Sequence, residues 1–122
     1  MLLIAQILIG IIAALHLYFL WLEMFAWTTR GPKVFRQFPK EFFEPTKALA
    51  ANQGLYNGFL VAGLVWTFFI KDPIWQQHVA VFFLTCVAVA GLYGAWTADR
   101  KIFWVQGLPA LIALALVLSA KL

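Results

Sequence analysis

Four stretches of this chain stay apolar for roughly 20 residues with almost no charge, and that leaves few ways to fold in water. They run over Leu2 to Trp27, Ala48 to Ile70, Trp75 to Thr97 and Ile102 to Ala120. Each meets the ~20-residue length at which a helix rising ~1.5 Å per residue crosses ~30 Å of hydrocarbon. Composition points the same way: 64% of residues are hydrophobic, 11% are charged and the mean hydropathy is +0.87. A soluble domain is about half apolar and about a quarter charged. The expected fold is an all-α integral membrane protein. It is read as a single four-transmembrane-helix bundle over 1–122, with helices over about 2–27, 46–70, 75–97 and 101–120. The first run is not expected to be a cleaved signal, because no Lys or Arg precedes it and His16 and Glu23 lie inside it. The one cysteine, Cys86, permits no internal disulfide and leaves the redox compartment open.

Basic residues set the expected orientation. Arg30, Lys33, Arg36, Lys40 and Lys47 lie between the first and second runs, and Arg100 and Lys101 between the third and fourth. The opposite side has Lys71 and Lys121. The positive-inside rule then puts both termini on the periplasmic or extracellular side of a multi-pass inner-membrane protein. The net charge of +4 reads as a topology signal with some affinity for anionic lipid, and a nucleic-acid role is not expected. Residues 28–45 read as an interfacial amphipathic loop, with Phe35, Phe38, Phe42 and Phe43 placed in the acyl boundary among Arg36, Lys40 and Glu41. Pro39 argues against one continuous helix there, and Glu44-Pro45-Thr46 makes a good start for the next.

Asn52, Gln53 and Asn57 lie inside the second run, where lipid tails offer a primary amide neither donor nor acceptor. These side chains are therefore expected to point inward. Counted from the span midpoints, Glu23, Asn52, Gln53, Tyr93 and Gln106 fall ~7–13 Å to the cytoplasmic side of the midplane, and His16 and Asn57 fall within ~3 Å of it. His16, Glu23 and Trp27 share one face of the first helix, as Gln53 and Asn57 share one of the second. The candidate ligand-binding residues are His16, Glu23, Trp27, Asn52, Gln53, Asn57, Tyr93, Trp96 and Gln106. They suggest a pocket open to the cytoplasmic side, with Glu23 as the proton-linked group, the amides orienting, and Trp27 and Trp96 at the rim. Each has a blander reading. Glu23 can equally reach headgroups or pair with Arg30 or Arg100, and a histidine such as His16 is more often bonded across helices than used as a ligand.

A ridge of small residues, Ala50, Gly54, Gly58 and Ala62, recurs every four positions, and Ala90, Gly94 and Ala98 make a second. Such stripes let backbones approach, either within the bundle or in a homo-oligomer. A sequence repeat runs beside them. Ala26-Trp27-Thr28 and Gln53-Gly54-Leu55 recur in order as Ala95-Trp96-Thr97 and Gln106-Gly107-Leu108, which fits two parallel helical-hairpin repeats.

His16, Glu23-Met24-Phe25-Ala26-Trp27, the run Ala51 to Phe59, Gly91-Leu92-Tyr93-Gly94-Ala95, and Gln106 with Pro109-Ala110 together carry a resemblance. Over nearly the whole chain they resemble the small bacterial four-helix membrane proteins catalogued as domain of unknown function thirteen-zero-four. The Asn-Gln-Gly-x-Tyr-Asn-Gly element is its specific part. The resemblance implies a bacterial inner-membrane protein of about this length and no established activity. Function then rests on the residues, and three classes compete. Binding or transport of a small polar molecule ranks first, an accessory subunit whose polar layer only specifies packing second, and a small membrane enzyme third. Catalysis is not the expectation: metal-ligand spacing, a nucleophile elbow and a phosphate loop are all missing, and no cofactor is expected. His16 and His78 are too far apart in depth to share one haem.

Overall fold

The chain is all-α. The computed structural model describes residues 1–122, which form five α-helices and no strand. These are α1 (Leu3–Phe25), α2 (Gly31–Val34), α3 (Lys47–Trp66), α4 (Pro73–Thr97) and α5 (Leu108–Leu118). Short 3₁₀ turns occupy Lys40–Phe42 and Thr67–Phe69, and a π-helical turn occupies Phe103–Gly107. Two of the helices, α1 and α4, are long and apolar enough to cross a membrane. The amides of α3 dilute its apolar character, and the last apolar helical run, Phe103–Leu118, is shorter than a span even with its π-helical first turn included.

Two compact units divide the chain, Ala14–Val61 and the combination of Met1–Ala13 with Ala62–Leu122. In the first unit, α1 lies against α3 at two glycines. A Cβ on Gly54 would fall 2.6 Å from Met24 Cγ and 3.1 Å from Glu23 Cβ, and one on Gly58 would fall 2.8 Å from Leu20 Cδ1. No glycine in the chain has positive φ, so these positions are glycine for space and not for backbone conformation. Gly54 and Gly58 are thus covered by α1 of the same chain, the intramolecular use of the small-residue ridge, while Ala62 faces outward.

In the second unit, α4 packs on α5 and on the π turn. Small buried residues make this approach close: Ala80, Ala88 and Gly91 on α4, Ala110 and Ala113 on α5. A Cβ on Gly91 would lie 2.5 Å from Gly107 N and 2.6 Å from Gly107 Cα, so here backbone meets backbone. The close contact on α4 is therefore made by Gly91 with Gly94, whereas Ala90 and Ala98 of the expected ridge face outward. A spacing of four names a stripe but does not choose between adjacent stripes. The π turn has a local cause. Pro109 has no N–H to give the carbonyl one turn back and its ring crowds that carbonyl, so the helix widens and Leu108 N bonds Phe103 O.

Side chains satisfy the helix ends. Asp72 accepts from the N–H groups of Ile74 and Trp75 at 2.9 and 3.1 Å, with Pro73 in the first turn of α4. Gln77 Nε2 donates to the carbonyls of Val117 and Ala120 near the end of α5, and Gln76 Nε2 to the carbonyl of Thr67.

Candidate functional site

Glu23 and Asn57 come together. Asn57 Nδ2 donates to Glu23 Oε1 at 2.5 Å, joining α1 to α3. Asn57 is buried and Glu23 half-buried. The sequence around Asn57 explains the contact. Gly54, one turn before it, removes the side chain that would hold Glu23 away, and Gly58 does the same opposite Leu20. Counting depth from span midpoints separates Glu23 from Asn57, yet they touch, so α1 and α3 are offset along their axes. His16 lies seven residues before Glu23, about two turns or ~10 Å along α1. It is fully buried, with its ring edge-on to Phe19 at 5.3 Å.

The other sequence-predicted residues are placed differently. Asn52 is exposed, and its Nδ2 donates to the Ala48 carbonyl at 2.8 Å, one turn back on its own helix. Gln53 is exposed beside it. Trp27 Nε1 donates to Thr46 Oγ1 at 2.9 Å, and Thr46 Oγ1 in turn donates to the Phe42 carbonyl at 2.7 Å. That bond pins the end of α1 to the start of α3. Sequence reasoning places Thr46 at the start of the second helix but does not pair it with Trp27, although a half-buried indole N–H needs an acceptor and Thr46 directly precedes α3. Tyr93 and Trp96 face outward from α4, 63% and 83% exposed, with their rings edge-to-face at 6.2 Å. Gln106 is half-buried within the π turn.

In the unit holding α4, an open groove of about 1040 Å³ runs along that helix, lined from Gln77 and His78 through Phe82, Thr85 and Cys86 to Tyr93, with Leu118 beside it. Its walls are predominantly apolar, and of the candidate residues only Tyr93 borders it.

The Gln-Gly-Leu element occurs at Gln53 and again at Gln106, and each of its glycines backs onto a helix. Gly54 backs onto Leu20, Glu23 and Met24 of α1, and Gly107 onto Gly91 and Leu92 of α4. At the positions that correspond under the expected repeat, Leu92 stands in place of Glu23 and Ala110 in place of Asn57.

These features define a small all-α protein with two helices long and apolar enough to cross a membrane and a carboxyl–amide pair joining α1 to α3. The chain belongs to the family described as Protein of unknown function (DUF1304), whose model matches residues 10–118. It is also 31% identical over 114 residues to the uncharacterized protein YpaA of Lactococcus lactis subsp. lactis (strain IL1403), covering 91% of this chain and 94% of that protein. No solved structure matches the chain.

Proposed function

We propose that the protein is a multi-pass inner-membrane protein that binds a small polar molecule, for uptake or export, at the Glu23–Asn57 pair. The observation that carries this reading is the hydrogen bond from Asn57 to Glu23. A carboxylate has about four acceptor positions, and the one amide N–H occupies one of them. The half-buried Glu23 therefore keeps acceptor capacity for a further donor, and an ionisable group within an apolar helix is a functional candidate by default. Of the remaining candidates, His16, Trp27, Asn52 and Gln53 stand in the same unit as the pair and belong to this proposal as residues that the ligand passes, and Tyr93, Trp96 and Gln106 belong to it as binding residues of the other unit. So do the four spans and the two hairpin repeats.

One observation favours a second reading, an accessory subunit. Every buried side-chain nitrogen and oxygen already has a partner, as expected where polar groups only specify packing.

Thermal-shift screening of the purified protein in detergent separates the two. Small amides, amines and polyols are tested on the parent and on Glu23→Gln. A solute that raises the melting temperature of the parent and not of Glu23→Gln supports binding at the pair. A full screen in which no solute discriminates between the two proteins supports the accessory reading.

A further inference from the structure

We propose that the segment between α1 and α3 is a folded receptor for anionic phospholipid headgroups. Its aromatic side chains are spent on one another. Trp27 packs on Phe43 at 5.0 Å and on Phe35 at 5.6 Å, and Phe38 packs on Phe42 at 4.6 Å. Phe43 is 1% exposed, and its ring lies so close over Gly31 that a Cβ there would fall 2.9 Å from it. The Trp27–Thr46 hydrogen bond closes the cluster across the two helix ends. A flat amphipathic segment would put these rings into the acyl boundary. Here the rings pack on one another, with Phe43 buried and Phe35, Phe38 and Phe42 half-buried, while every charged side chain of the segment is exposed.

Arg30, Lys33, Arg36, Lys40 and Lys47 are all exposed on this segment, against Glu41 and Glu44. The excess of cations is located by the fold: the segment leaves α1 at Phe25 and delivers the chain to α3 at Lys47. In a membrane crossed by α1, the end of that helix lies at headgroup depth, where lipid phosphates are concentrated. Basic residues at that depth are attracted to anionic lipid. The aromatic core holds their backbones in place before any lipid arrives, so less ordering entropy is lost on binding than for a loose polybasic tail. Charge complementarity together with this depth selects the phosphodiester headgroup of the adjacent leaflet as the occupant, independently of any ligand at Glu23.

Native mass spectrometry of the protein in mixed micelles with equimolar phosphatidylglycerol and phosphatidylcholine tests the proposal. The parent should retain phosphatidylglycerol in preference by about five-fold or more, the factor that one cation near an anionic surface supplies. The triple variant Lys33→Gln, Arg36→Gln, Lys40→Gln should lose most of that preference. The charge-preserving Lys33→Arg, Lys40→Arg should keep it, as should Arg100→Gln with Lys101→Gln, which lowers net charge elsewhere. Equal retention of the two lipids by the parent would overturn the proposal. So would a preference that survives the triple variant or falls equally with Arg100→Gln and Lys101→Gln, since that would reflect net charge and not this surface.

Discussion

Asn57 is the residue on which the polar pair depends, because its amide is buried while the Glu23 carboxyl is only half so. Asn57→Leu removes the single donor seen on Glu23 Oε1 and places a branched apolar side chain against the carboxyl. Leaving a buried polar group unpaired costs about 1–3 kcal/mol, whereas hydrogen bonds between membrane helices average nearer ~0.6 kcal/mol. The group left without its donor, the Glu23 carboxyl, is only half-buried, so Asn57→Leu should lose about 0.5–2 kcal/mol in a detergent unfolding titration. A double-mutant cycle of Glu23→Ala and Asn57→Ala should show coupling of about 0.5–2 kcal/mol, and strict additivity would mean the bond contributes nothing. Amides and a carboxyl inside apolar runs announce that they need partners, and that much was legible in the sequence. Which partner each takes was not. Asn52 looks equivalent to Asn57 in the sequence, yet it bonds the Ala48 carbonyl of its own helix. Side-chain bonding one turn back competes with bonding across helices, and the outcome depends on which face the neighbouring helix covers. That face is fixed here by Gly54 and Gly58.

At the scale of helices, the tightest constraint is the approach of α4 to the π turn. An added Cβ on Gly91 meets Gly107 backbone atoms, which cannot rotate aside, whereas one on Gly94 meets the Ile102 side chain at 3.1 and 3.3 Å. Alanine gains about 1 kcal/mol over glycine in helix propensity, and overpacking costs typically 1–3 kcal/mol. The two effects should nearly cancel at Gly94, whose neighbour is a side chain. At Gly91 overpacking should dominate. Gly91→Ala should therefore lower the melting temperature clearly and Gly94→Ala hardly at all; equal melting temperatures would show that α4 and the turn are not in backbone contact. The apolar runs were legible as helices because hydropathy over some 20 residues leaves little alternative. The break at Phe103–Gly107 was not read, although its signal, a proline two residues after a glycine, stands in the sequence at Gly107 and Pro109. The sequence places the rings between α1 and α3 at the acyl boundary but does not say that they pack on one another. Alternation of aromatic and charged residues fits a flat segment and a folded cluster equally, and only the contacts among the rings distinguish them.

For the molecule as a whole, the proposed site stands or falls with the number of times the chain crosses the membrane. Along the most apolar windows of α1 and α4 only 28% of residues are buried, and Leu3, Ile7 and Ile11 on one helix and Phe82 and Val89 on the other face outward. A core helix of a water-soluble protein hides such residues, so this surface is suited to hydrocarbon. If α1 and α4 alone cross and the N-terminus is outside, Lys71 ends up inside and Arg100 outside. If α3 and the last apolar run cross as well, the two are reversed: Lys71 is outside and Arg100 inside. Lys33 is inside and Lys121 outside in either case, so they serve as controls for the basic-residue orientation. With Cys86 replaced by serine, single cysteines at positions 33, 71, 100 and 121 can be labelled on intact cells with a membrane-impermeant maleimide. The expected pattern is labelling at 71 and 121, with 33 and 100 protected until the membrane is permeabilised. That result would establish the four crossings. Labelling at 100 with protection at 71 would leave α3 and α5 on the surfaces of the bilayer. The Glu23–Asn57 bond would then tie a spanning helix to one lying outside the hydrocarbon, and the proposed intramembrane site would have to be abandoned.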